Sequence, residues 1–126
     1  MANPSGLPVR VLIVDDEPDL RLLLRTMLDL EADIDIAGEA GDGAEALERY
    51  AEIGPDVLVL DQRMPVLSGL EVAERVLHDH PEQLIILFTA FADDDTTEAA
   101  SALGVRTVLA KDRIDELGAA ILRLAS

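Results

Sequence analysis

The stretch VRVLIVDDEPDLRLLLRTML, residues 9–28, changes periodicity partway along, and that change decides the fold. Val9 to Val14 form a nearly continuous apolar run, the pattern of a strand covered on both faces. After the acidic break DDE, Pro18 stands at a first helical position. Leu20, Leu23, Leu24, Met27 and Leu28 then follow at spacings of three and four, one apolar stripe. The stretch predicts a buried strand feeding an amphipathic helix over 18–31.

The same unit recurs along the chain. Further apolar runs, mostly β-branched, lie at 34–38 (IDIAG), 56–60 (DVLVL), 84–88 (LIILF) and 107–110 (TVLA). The spacing predicts a second helix from Gly41-Asp42-Gly43 through Ala46, Leu47 and Tyr50 to Gly54-Pro55. A third starts after Ser68-Gly69, carries Leu70, Val72, Ala73, Val76 and Leu77, and stops before Pro81. A fourth covers 93–103, closed by Gly104, and a fifth covers 113–125. Strict alternation of strand and helix implies an α/β fold with right-handed crossovers. For five strands this gives one doubly wound parallel sheet in the order 2-1-3-4-5.

A chain of 126 residues with 49% hydrophobic content makes one domain, 1–126, with residues 1–7 as a flexible N-terminal extension. Aromatics are only 2% of the chain (Tyr50, Phe88 and Phe91), so the core is aliphatic. A net charge of −16 argues against direct nucleic-acid binding, which depends on Lys and Arg neutralising phosphates. The absence of Cys excludes thiol catalysis and disulfides. The apolar run Val11 to Val14 is too short for a signal or a membrane span, so a cytoplasmic location with no membrane contact is expected. Lys111 is the only lysine.

Ligands in such sheets bind at the C-terminal strand ends, where the strand order reverses. Strand one ends in Asp15-Asp16, strand three in Asp61, strand four in Thr89 and strand five in Lys111; strand two ends in Glu39-Ala40, outside the cluster. Each residue alone reads as a helix entry, a turn former, a strand end or a solvated charge. Together, three carboxylates repel one another and require a cation. Hard oxygen ligands with open positions suit Mg²⁺, which often shares its shell with a phosphate. Lys111 adds a second positive charge, Thr89 a hydroxyl donor, and Ala90 too little side chain to obstruct. A carboxylate is a nucleophile for phosphoryl transfer, so the rim reads as an acceptor site.

VLIVDDEPDLRLLL, DVLVLDQRMPVLSGLEV, LFTA and VLAKD resemble the receiver domains of bacterial two-component response regulators over essentially the whole chain. The specific signal is the combination: an acidic pair, D-x-x-M-P-x-x-x-G, a T-A dipeptide and a late lysine. The resemblance implies a flavodoxin-like fold with Asp61 as phosphoryl acceptor. It assigns Mg²⁺ to Asp61, to Asp16 directly, to Asp15 largely through water, and to the backbone carbonyl of Arg63. Thr89 and Lys111 then bind the phosphoryl oxygens, Pro65 and Gly69 shape the loop after strand three, and Met64 packs. The expected role is that of a phosphoacceptor protein rather than an enzyme. Its partners would be a sensor histidine kinase or phosphotransfer protein, an output domain or effector, and on phosphorylation a second copy of the chain.

Two positions depart from the family pattern. Val108 stands where an aromatic ring often turns inward, so the switch at helix four, strand five and helix five must work without it. Asp112 follows the lysine where proline is common, a form similar to regulators with a LuxR-type helix-turn-helix output domain. A haloacid-dehalogenase-like phosphatase would place an Asp where Arg63 stands, and a flavodoxin-like electron carrier a Ser/Thr-rich loop where DDEPD stands. A pseudo-receiver interaction module stays the alternative reading: it would lack a pocket residue and none is missing, but a complete motif does not prove turnover. His78 and His80 at the end of helix three receive no role, and Asp93-Asp94-Asp95 reads as a helix cap. Arg63 and Phe91 flank the approach of water to the phosphorus of a phosphorylated Asp61 and predict slow loss of the phosphoryl group.

Overall fold

Each apolar run becomes a strand because helices cover it on both sides. The computed structural model describes residues 6–90 and 92–126; most of the expected N-terminal extension (1–5), together with Phe91, lies outside the described residues. Among the described residues, strands β1 (Val9–Val14), β2 (Ile34–Ala40), β3 (Val57–Leu60), β4 (Leu84–Thr89) and β5 (Thr107–Ala110) alternate with helices. These are α1 (Pro18–Leu28), α2 (Gly43–Ile53), α3 (Gly69–Asp79), α4 (Asp94–Leu103) and α5 (Leu117–Ala125). The strands pair in parallel in the order β2-β1-β3-β4-β5, as the alternation implies.

Successive strand residues point to opposite faces, so β1 feeds two cores. Val9, Val11 and Ile13 pack with Leu24 and Leu28 of α1 and with Leu117 and Ile121 of α5. Leu12 and Val14 pack on the other side with Leu58 and Leu60 of β3 and Val72 and Val76 of α3. Double burial is why β1 shows no polar alternation after Arg10. That residue sits at the exposed strand entrance, where its N–H donates to Asp56 Oδ2 at 2.9 Å and its Nη1 to the carbonyl of Ile53 at 3.0 Å.

Helix starts follow their capping residues. The Asp42 carboxylate accepts from the Glu45 N–H at 2.8 Å, Ser68 and Glu71 form a capping box, and Asp93 accepts from the Thr96 N–H at 2.7 Å. The run Asp93-Asp94-Asp95 therefore does cap a helix. No helix among the described residues is long and apolar enough to cross a membrane.

Two helix boundaries differ from expectation. Helix α1 stops at Leu28 rather than 31, because bonding tightens to Leu30 N–H donating to Met27 O and Glu31 N–H donating to Leu28 O. Its buried line is Leu24 and Leu28, and Leu23 of the expected stripe is exposed. Strand β2 ends at Ala40, as expected, since Glu39 and Ala40 still pair with Ile13 and Val14. The expected fifth helix, 113–125, is divided: Lys111–Glu116 form a 3₁₀ segment with a kink at Arg113 (φ −106°, ψ 36°), and the α-helix begins at Leu117. In a 3₁₀ turn residues i and i+3 eclipse, which suits the Arg113–Glu116 pair at 2.6 Å.

Candidate functional site

The sheet ladder itself delivers two acidic residues to the rim. The Asp15 N–H donates to Ala40 O at 3.1 Å and the Asp61 N–H to Val14 O at 2.9 Å, so both backbones continue the strands while their side chains pass the strand ends. Both are buried, at 2% and 5% exposure. Thr89 ends β4, also buried, and Lys111 opens the 3₁₀ segment directly after β5.

The Lys111 ammonium stands between the buried carboxylates, 2.8 Å from Asp15 Oδ2 and 3.1 Å from Asp61 Oδ2, with Glu17 Oε1 at 3.5 Å. Asp15 Oδ1 accepts from the Glu17 N–H at 2.9 Å. Asp15 Oδ2 is buried, and the Lys111 ammonium at 2.8 Å is its partner. Burial and then the neighbouring Asp15 push the Asp61 carboxyl above the ordinary carboxylate range, and Lys111 only partly offsets them. Burial alone would lower Lys111, but its hydrogen bonding and charge contacts with Asp15 and Asp61 outweigh that and raise it.

Asp16 is exposed, yet one oxygen from each of Asp15, Asp16 and Asp61 lies within 4.8 Å of the others, the only such acidic group among the described residues. A cavity of about 230 Å³ opens there, lined by Asp16, Glu17, Asp61, Arg63, Thr89, Ala90 and Lys111. The single Lys111 ammonium stands against Asp15 and Asp61, so the three clustered carboxylates keep an excess of negative charge. This all-oxygen donor set fits a hard divalent cation. A larger groove of about 650 Å³ between α2 and α3, lined by residues such as Leu47, Tyr50, Glu74, Asp79 and His80, contains none of the rim residues.

The loop from β3 to α3 is held close to Asp61. Gly69 lies against the Asp61 carbonyl, where a Cβ would collide with backbone. The Gly69 N–H donates to Gln62 O at 2.9 Å and the Leu70 N–H to Gln62 Oε1 at 2.8 Å. Pro65 O accepts from the Leu67 N–H at 2.9 Å across Val66, whose φ of 74° is costly for a β-branched residue. Arg63 is exposed on this loop, and Met64 packs against the core on the α3 side. Val108 is half-buried beside a groove of about 590 Å³ that includes Thr97, Ser101, Val105 and Arg106. His78 and His80 are exposed, and His80 lies against the Tyr50 ring at 5.6 Å.

Sequence reasoning missed the residues beneath the rim. Arg21 Nη1 donates to the Asp15 carbonyl at 2.6 Å, and its Nε lies 3.3 Å from Glu39 Oε1. In the sequence Arg21 looks like any charge on the polar face of α1, and Glu39 like a strand end outside the cluster. Gln62 gave no signal either.

Comparison with known proteins extends these findings. The family model described as "Response regulator receiver domain" matches residues 11–122. The transcriptional regulatory protein LiaR of Bacillus subtilis is 33% identical over 103 residues, covering 82% of this chain and 49% of that protein. Among solved structures, the signal receiver domain of the response regulator NarL from Mycobacterium tuberculosis aligns with a TM-score of 0.89 at 34% identity, covering 95% of this chain and 98% of that one. A LuxR-family DNA-binding response regulator from Staphylococcus aureus aligns with a TM-score of 0.88 at 28% identity, covering 94% and 99%. The chain spans about half the length of the curated relatives LiaR and VraR.

Proposed function

Because the chain belongs to the response regulator receiver domain family, we propose that it is the phosphoryl-accepting module of a two-component system. In this reading Asp61 takes a phosphoryl group from a sensor histidine kinase or a phosphotransfer protein. The observation that carries it is the Lys111 ammonium, held between the buried Asp15 and Asp61 carboxylates at 2.8 Å and 3.1 Å. A buried carboxylate beside a fixed cation, at an open cavity, is disposed for nucleophilic attack on phosphorus.

In the transfer, an Asp61 oxygen forms the bond to phosphorus as the phosphorus–nitrogen bond of the donor histidine breaks, and the imidazole keeps the electron pair. Lys111 then pairs with a phosphoryl oxygen and the Thr89 hydroxyl donates to another. Mg²⁺ would be held by Asp16 and Asp61, by Asp15 largely through water, and by the carbonyl of Arg63. When bound it supplies positive charge to the phosphoryl oxygens and offsets the mutual repulsion of the carboxylates. Arg63 supplies no carboxylate base to a hydrolytic water, which favours slow loss of the group.

The switched surface is that of α4, β5 and α5, with Val108 in place of an inward-turning ring. The groove beside Val108 gives α4 and β5 room to repack. Its reader is an output domain of LuxR type, an effector, or a second copy of the chain. At −16 the chain itself is not suited to binding nucleic acid.

Incubation with a small acyl phosphate tests the acceptor directly by intact mass. The expected result is one added phosphoryl group that requires Mg²⁺ and disappears in Asp61→Asn. Equal labelling of that variant would overturn the assignment.

A further inference from the structure

We propose that Arg21 is a positioning residue for the acidic rim, fixing the peptide between Asp15 and Asp16 and so the direction in which Asp16 meets a divalent cation. The inference rests on the metal reading above and adds to it a residue outside the ligand set.

Asp15 lies where the β1 ladder ends. Its N–H still donates to Ala40 O at 3.1 Å, but its carbonyl is taken by Arg21 Nη1 at 2.6 Å. Arg21 is in turn anchored from β2, its Nε 3.3 Å from Glu39 Oε1. Glu39 is fixed by a second arginine, for Arg25 Nε and Nη2 each lie 2.7 Å from Oε2. Both Glu39 oxygens are thereby engaged, and the bracket joins α1 to β2 directly beneath the rim. Arg21 is only 21% exposed and is the member that touches the rim backbone.

A peptide unit is planar, so holding the Asp15 carbonyl orients the N–H and Cα of Asp16 with it. That matters for Asp16 in particular. Asp15 and Asp61 are directed by burial, whereas Asp16 is exposed and takes its direction from its backbone. A planar fork that reaches a carbonyl and a carboxylate at once is specific to arginine; a lysine ammonium is a point donor on a flexible stem. Outer groups that orient ligands set metal affinity by about 10–100-fold when removed.

Charge and positioning predict opposite signs for Arg21. Removing a cation beside a cation site strengthens Mg²⁺ binding if charge alone matters, and weakens it if Arg21 orients Asp16. Calorimetric titration of the full chain with Mg²⁺ alone, without a phosphoryl donor, reads the difference. Arg21→Gln is expected to bind Mg²⁺ about tenfold more weakly than wild type. Arg21→Lys keeps the charge, is gentler on the fold, and is expected to weaken binding as well. Thermal melts of the same samples establish that each variant is folded. Unchanged or tighter binding by a folded variant would overturn the positioning role and leave the metal reading standing. Failure of the wild type to bind Mg²⁺ would overturn both.

Discussion

Two side chains at the rim predict stability changes of opposite sign. The Asp61 carboxyl, raised above its ordinary value of 3.8 chiefly by burial and then by Asp15, favours the protonated form in the folded state. The stability it contributes is fully present below the unfolded value and is lost as pH rises through the raised folded value. At neutral pH without metal the ionised group therefore opposes folding, and Asp61→Asn should raise the thermal midpoint. Added Mg²⁺ should narrow the gap to wild type, and a lower midpoint for the variant in metal-free buffer would contradict the sign. Lys111→Ala does the reverse, leaving Asp15 and Asp61 facing each other without a counter-ion, and should cost about 3 kcal/mol in denaturant unfolding. The rim residues themselves could be read from the chain because they fall at strand ends in a strict alternation, and topology alone makes those ends neighbours. Arg21 and Glu39 could not, because a charge on a helix face signals nothing until β2 is seen beside it. The placement of Phe91 lies outside the described residues.

At the level of elements, the loop between β3 and α3 separates two effects that a sequence would merge. Ser68→Ala removes one half of a capping box at an exposed helix start and should cost about 1 kcal/mol without changing phosphorylation at Asp61. Gly69→Ala puts a methyl group into the Asp61 carbonyl, so the backbone of the acceptor must move. It should slow labelling by the acyl phosphate, and a normal labelling rate would show that the loop tolerates the shift. Helices with clear caps, α2, α3 and α4, were readable almost to the residue. The 3₁₀ segment was not, because its residues Lys111 to Glu116 carry no apolar stripe. Within it Arg113 pairs with Glu116, and Lys111 contacts the rim.

Across the whole molecule the sheet divides the interior into two cores, and this was implied by the unbroken apolar strands. Ile121→Ala, on the α1 and α5 side, and Val76→Ala, on the α3 side, occupy separate clusters. Ile121→Ala should cost about 2–5 kcal/mol. The double variant should show the sum of the single losses to within about 0.5 kcal/mol, and a larger coupling energy would mean that the sheet transmits packing strain between its faces. The single lysine has a different kind of consequence. Amine-directed acylation needs the neutral amine, and Lys111 is the one side-chain amine of this chain, locked as ammonium between Asp15 and Asp61 and raised in pKa by them. The molecule thus carries a covalent reporter in its own pocket: the rate at which an acylating reagent modifies Lys111 gauges how tightly its two carboxylates grip it. Asp61→Asn should be modified faster than wild type under identical conditions, as read by peptide mass spectrometry. Equal rates would mean that access, and not charge, governs the reactivity of that amine.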